Sequence, residues 1–353
     1  MRIVEYDDAD PWQVLQLTLL ALDFPLTPEH AAQIRRTDPR PLPCLTVNAV
    51  EGDTVLGQVG VFRLPMVSTE GREDVGGLWA LATHPRCRAA GVAQRLLEEA
   101  HSRMRAAGLR FSAFGTTRDG AAYALARRYG YEEMNVWATA LARWETAHQP
   151  TRLHARPLLP EDHQLIERIF SSIAGGYLGF AWRHTPFAGL LLVNPADIWI
   201  LSKNRDNVGY AITRADATVL RVSSLLLRQG LDTAEAIAAV AAQVKSAYVQ
   251  VEVSRPVEIA SLRRAGYQVS SPTRSGFLVK PLVPDVTHDD ARHLFGIGTD
   301  RFLISWLDVT GGGCTSLSST ERSAGRCWHR DGAAQLEGVR RRGGWLTGAV
   351  QEC

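Results

Sequence analysis

The sequence predicts an α+β protein made of two similar halves, each a mixed and mostly antiparallel sheet flanked by helices. Three observations carry that prediction. Residues 1–145 alternate period-two and 3.6-period hydrophobic patterns, residues 150–284 nearly repeat the order of elements, and Arg-Arg-x-Gly-Tyr occurs at Arg127–Tyr131 and again at Arg263–Tyr267, 136 residues later. At 353 residues the chain has room for two domains with a core in each.

Arg2–Tyr6 reads as a strand, followed by helices over Pro11–Asp23 and Thr27–Arg36. The second has Thr27 as N-cap and Pro28 at its first position, where a missing N–H costs nothing. A loop is expected at Asp38–Pro43. The β-branched runs Leu45–Val50 and Val55–Leu64 flank Glu51–Thr54 and predict a hairpin, and Gly77–Thr83 is the next strand. Val92, Leu96, Ala100, Met104 and Ala107 then share one helical face, and Gly108 stops that helix. Leu109–Phe114 returns to strand, Asp119–Tyr129 is helical and closed by Gly130, and Val136–Trp144 is a strand. Tyr129 is assigned to the core.

The polar stretch 145–152 contains a proline, lacks periodicity and marks a domain boundary. Beyond it, Pro160–Ile173 is helical, Trp199–Leu201 and Val208–Thr213 suggest a hairpin, and Val219–Leu227 is a strand. Asp232 and Glu235 open a helix to about Lys245, and Val249–Val253 is a strand. The domains are therefore residues 1–146 and 150–284. A C-terminal extension at 285–353 is expected to be weakly ordered from about 311, where a glycine run and an arginine run interrupt any apolar repeat.

Composition narrows the function. A net charge of +2 gives no basis for a nucleic-acid surface, and no apolar run approaches the roughly 20 residues of a membrane helix. Asp7, Asp8 and Asp10 interrupt any leader, so a cytoplasmic location is expected. The five cysteines are odd in number and scattered, as reduced thiols would be, and Cys314, Cys327 and His329 lack the paired knuckle of a zinc site, so no metal is expected.

The informative stretch is Leu81–Gln94, in which a strand ends, a loop of small residues turns and an amphipathic helix starts at about Gly91. Helix N-termini attract phosphate through free N–H groups and the positive end of the dipole. Gly91 and Ala93 lack bulk, and Arg86 and Arg88 add guanidinium groups.

Arg88-x-x-Gly91-x-Ala93, with the preceding strand, the following helix and the later Arg-Tyr-Gly-Tyr, resembles the pyrophosphate loop of the GNAT superfamily of N-acetyltransferases, over about residues 1–145. The resemblance implies two tandem GNAT-like domains and acetyl-CoA as co-substrate. Leu81, Ala82 and Thr83 would run beside the pantetheine arm, and Arg88, Ala89, Ala90, Gly91, Val92, Ala93 and Gln94 would wrap the pyrophosphate. The thioester would enter between the strands at 77–83 and 109–114, with its carbonyl at a backbone N–H near Leu81. The acceptor would be a primary amine of a small molecule or peptide.

The pattern departs from the family in two places. Where many relatives carry a tyrosine that protonates the departing thiolate, this chain has Ala126, and Tyr123, one turn earlier, is the candidate acid. No carboxylate lies on Gly77–Leu81 to serve as base; Glu73 and Asp74 precede it, and Asp23, Glu29 and His30 are unspecific. Residues 219–233 lack the loop and carry leucines instead, so the second copy reads as degenerate, an arrangement similar to mycothiol synthase and to the enhanced intracellular survival acetyltransferases, although the residues after about 285 are too few for the third, sterol-carrier-like domain of the latter. A non-catalytic acyl-CoA or amine binding protein is the alternative reading. The acceptor and the oligomeric state are not legible.

Overall fold

The computed structural model describes residues 1–22, 27–37, 41–87, 89–118, 120–179, 197–216, 218–271 and 275–304. The first half follows the expected order: β1 (Arg2–Glu5), α1 (Pro11–Leu22), α2 (Pro28–Thr37), β2 (Pro41–Glu51), β3 (Thr54–Ser68), β4 (Gly71–Thr83), α3 (Val92–Ala106), β5 (Phe111–Thr117), α4 (Ala121–Arg128) and β6 (Glu132–Arg143). The loop expected to reach Pro43 is shorter. Pro41 opens β2 opposite Phe62, a first-residue position where proline's missing donor is tolerated. β4 begins at Gly71 rather than Gly77, because Arg72–Val75 continue the ladder with Leu64–Val67.

The second half comprises α5 (Trp144–Ala147), β7 (His154–Pro157), α6 (His163–Ala174), β8 (Ile198–Lys203), β9 (Asp206–Ala215), β10 (Val219–Leu227), α7 (Thr233–Ala241), β11 (Tyr248–Val253), α8 (Pro256–Arg264), β12 (Gln268–Val269), β13 (Ser275–Pro281) and α9 (His288–Phe295). α7 stops short of Lys245. The Trp144 indole Nε1 donates to the Ala241 and Val244 carbonyls, at 2.9 and 3.2 Å, at that end.

Among the described residues one sheet runs through both halves, in the order β1-β2-β3-β4-β5-β13-β6-β11-β10-β9-β8-β7, with β12 beside β6. Read inward from either edge the rows match, five strands and then a final strand supplied by the other half. β4–β5 and β10–β11 are the parallel pairs, at equivalent places, and β13 and β6 pair antiparallel at the centre. The halves thus exchange their last strands, and both lie in the compact unit Met1–Cys314.

The repeated pentapeptide has a structural reason. After α4, Gly130 has φ +81° and the Tyr131 N–H donates to the Ala126 carbonyl; after α8, Gly266 has φ +86° and the Tyr267 N–H donates to the Leu262 carbonyl. Both are six-to-one helix ends that need glycine at the left-handed position and bury the next aromatic residue. Tyr131 and Tyr267 are buried accordingly. The core assignment of Tyr129 is corrected here: its ring is half-buried and its hydroxyl donates to Glu98 at 3.1 Å, because the chain reverses at Gly130 before it turns inward.

One face of the first half's strands is covered by α3 and α4, where Val92, Leu96, Leu97, Ala100, Met104 and Ala126 are buried against Val59, Val61, Leu78 and Phe114. Each large aliphatic side chain contributes roughly 1.5–3 kcal/mol there. The opposite face packs Phe62, Leu64, Val75 and Phe111 against Leu294 and Phe295 of α9. In the second half, α7 and α8 cover β10 and β11. No helix among the described residues is long and apolar enough to cross a membrane. The extension beyond 311, with Cys314, Cys327 and His329, lies outside the described residues.

Candidate functional site

The parallel pairing of β4 with β5 covers only Gly76–Leu78 against Ser112–Phe114. Both strands continue past it, β4 to Thr83 and β5 to Thr117, so a gap opens from Trp79 and Gly115 onward. On its other edge β4 carries a bulge: its register with β3 steps from Trp79–Gly60 to Ala82–Gln58, and Ala80 has φ +48°. Ala80 and Leu81 therefore have no Cα partner in β3, and the ladder is locally disrupted there. The separation and the bulge fall at the same level of the sheet.

From Thr83 the chain crosses the loop to α3. The His84 N–H donates to the Leu56 carbonyl at 2.8 Å, a short 3-10 turn holds Pro85–Cys87, and the Cys87 N–H donates to the His84 carbonyl at 2.8 Å. Arg88 lies outside the described residues. Ala89 and Gly91 have φ of +64° and +74°, Gly91 is the N-cap, and among the described residues no side chain caps that end of α3. A Cβ at Gly91 would meet nothing within 4 Å, so the glycine answers a backbone requirement and borders open space. Ala89, Ala90, Gly91 and Gln94 are exposed, Ala93 is half-buried, and Val92 anchors the first turn in the core. Ala82 is buried, while Leu81 and Thr83 are half-buried.

The equivalent end in the second half is built differently. Asp232 caps α7, its carboxylate accepting from the Glu235 N–H at 3.1 Å, the Ser261 hydroxyl at 2.9 Å and Arg264 at 3.3 Å. A carboxylate fixed on a helix N-terminus takes the donors and the dipole that would otherwise draw a phosphate.

On α4, Ala126 points into the core and Tyr123 lies one turn earlier, its ring half-buried beside Ala122 and Leu125. The Tyr123 hydroxyl donates to Glu133 Oε2 at 2.9 Å, and Arg118 Nε lies 2.9 Å from the same oxygen. Glu133 and Arg118 escaped the sequence reading because β6 meets α4 only through the fold; no spacing signal links positions 123 and 133. A Cβ at Gly276 of β13 would lie 2.9 Å from Glu133 Oε2, so the second half shapes this spot directly.

The acids near β4 are structural. Glu73 forms a two-point pair with Arg110 at 3.0 and 2.8 Å, and Asp74 pairs with Arg63 at 3.0 Å and Arg72 at 3.3 Å. Both precede the gap, on the stretch where β4 is fully laddered to β3. Glu29 is exposed on α2, and Asp23 lies outside the described residues. Trp79 Nε1, just before the bulge, and Asn135 Nδ2, on β6, are buried without a hydrogen-bond partner among the described residues.

Residues 3–134 match the model of the acetyltransferase (GNAT) domain family. Solved structures with the same fold include a GCN5-related N-acetyltransferase from Anabaena variabilis (13% identity, TM-score 0.64, covering 80% of this chain and 73% of that one). A GCN5-related N-acetyltransferase from Kribbella flavida is similar at 16% identity and TM-score 0.59, over 80% and 72% of the two chains. Eis1 from Mycobacterium abscessus is similar at 13% identity and TM-score 0.58, over 80% and 74%. At these identities the likeness is one of fold. No curated protein matches the sequence.

Proposed function

We propose that the protein, whose residues 3–134 belong to the GNAT acetyltransferase superfamily, moves an acetyl group from acetyl-CoA to a primary amine of a small molecule or peptide. The single observation that carries this reading is the coincidence of the β4–β5 gap, the Ala80 bulge and the glycine-capped start of α3 along one path. The residues fit the co-substrate. The unpaired edge of Leu81–Thr83 offers backbone partners to the pantetheine amides, and the uncapped first turn at Gly91–Gln94, with Ala89, Ala90 and Arg88, suits a pyrophosphate.

The reaction needs an uncharged amine at the thioester carbon, a donor for the oxyanion and a proton for the leaving sulfur. The peptide N–H near Leu81, at the bulge, is the oxyanion donor in this reading. Tyr123 is the acid, with Glu133 and Arg118 fixing its hydroxyl at rest. The amine loses its proton to water, since β4 offers no carboxylate at the gap. The second half, whose α7 is capped by Asp232, binds no CoA and walls the acceptor site.

A second reading, an acyl-CoA or amine binder without turnover, is favoured by the alanine at position 126. Thiol release from acetyl-CoA, followed across a panel of primary amines, separates the two: amine-dependent release supports transfer, and tight CoA binding without release under any amine supports the binder.

A further inference from the structure

A second cavity lies where the pseudo-symmetry places the counterpart of the α3 loop. It measures about 430 Å³ and sits at the end of β10, against the N-terminal ends of α7 and α8. Four arginines line it, Arg228, Arg255, Arg264 and Arg301, against two acids, Asp232 and Asp300. Both acids are engaged. Asp232 holds the α7 cap, and Asp300 Oδ1 accepts the Val257 N–H at 3.2 Å.

Arg255 is the built element of this cavity. The residue is 9% exposed, its Nη2 donates to Glu258 Oε1 at 2.8 Å, its Nη1 donates to the Asp300 carbonyl at 3.2 Å, and its guanidinium lies 5.0 Å from the Tyr177 ring centroid. Its Nε is buried and has no hydrogen-bond partner among the described residues. Arg228 and Arg301 are exposed and, among the described residues, form no ion pair with a carboxylate.

We propose that this cavity binds a compact, multiply charged anion through a phosphate group, held by guanidinium groups rather than by the helix N-terminus that Asp232 occupies. Arg228 and Arg301 supply exposed positive charge at the mouth and Arg255 a fixed positive charge behind them. The volume accommodates a small phosphorylated molecule, and planar guanidinium forks match phosphate oxygens two at a time. The site is separate from the acetyl-CoA path and does not depend on that assignment.

The test is calorimetric titration of pyrophosphate into the full chain at low salt, with and without saturating CoA. One pyrophosphate per chain is expected with CoA present and a second, at the start of α3, without it; the CoA-independent site should lose affinity at least about tenfold in an Arg228→Ala/Arg301→Ala double variant and be retained in Gly91→Glu. Both arginines are exposed, so the double variant keeps its fold, which circular dichroism verifies. Absence of binding, binding indifferent to the double substitution, or binding lost in Gly91→Glu would overturn the proposal. A succinate titration provides the remaining arm: binding as tight as that of pyrophosphate would overturn the assignment to phosphate.

Discussion

The Tyr123 hydroxyl donates to Glu133 over 2.9 Å, joining the helix before the Gly130 turn to the strand after it. The same carboxylate oxygen takes Arg118, so the phenol is held in one rotamer by an ionised acceptor. Replacing Tyr123 by Phe keeps the ring in its half-buried place and removes the proton. Turnover should fall by roughly 10²–10⁴ while CoA affinity barely changes, as steady-state kinetics and a CoA titration would show. Full turnover in the variant would reduce Tyr123 to a packing residue.

His101 offers a pH test of the first core. It is 3% exposed, its Nε2 lies 2.7 Å from the Tyr131 hydroxyl, and that hydroxyl lies 2.6 Å from Ser112 Oγ. Burial, aided by the charges of Lys280 and Arg105, pushes the imidazole down to about 3. The unfolded imidazole takes its proton near pH 6.5 and the native one does not. The stability gained by keeping it neutral is therefore complete above pH 6.5 and lost as pH falls toward 3, at up to about 1.4 kcal/mol per pH unit. Gln at position 101 hydrogen-bonds but does not titrate. The stability advantage of the wild type over His101→Gln in urea unfolding should shrink steadily from pH 7 to pH 4; a constant difference would contradict the assignment.

Most elements of the first half were legible because their periods are local. The α3 stripe from Val92 to Met104, the turn at Glu51–Thr54 and the glycine stops each declare themselves within a few residues. The strand, loop and helix start of Leu81–Gln94 were legible for the same reason, although Arg88 falls outside the described residues. The exchange of β6 and β13 was not legible, because strand partners are chosen by surfaces far apart in sequence: Val279 pairs with both Ala113 and Glu132. Glu133 was invisible for a related reason, since its role comes from facing α4 and its neighbourhood is set by Gly276. Tyr129 was misplaced because the turn at Gly130 shifts the inward position to Tyr131.

Gly130 and Gly266, the left-handed glycines of the repeated pentapeptide, give a matched pair. Alanine at either adopts a strained backbone at about 1–2 kcal/mol. At Gly130 the new Cβ meets nothing within 4 Å, whereas at Gly266 it lies 3.0 Å from Thr146 Cγ2. Both variants should melt below the wild type in calorimetry, with Gly266→Ala the lower; a neutral pair would contradict the helix-end assignment.

The exchanged strands predict the fate of a fragment ending at residue 146. It loses β13 and β11, which flank β6, and with β13 the Phe277 and Val279 side chains that pack with Phe111 and Trp137. Unpaired edges and uncovered apolar faces favour self-association. The fragment should elute as oligomers or aggregate in gel filtration. A monodisperse fragment with the CoA affinity of the full chain would show that the second half is dispensable for the first.

Titration calorimetry of CoA into wild type and Gly91→Glu probes the proposed seat of CoA in the β4–β5 gap, with its pyrophosphate at the start of α3. Glutamate at a φ of +74° costs about 1–2 kcal/mol of strain but meets open space, so the variant should remain folded, while its bulk and charge occupy the phosphate position. The proposed seat predicts one CoA per wild-type chain and no measurable binding to the folded variant. Unchanged affinity in Gly91→Glu, or two CoA molecules per wild-type chain, would contradict it.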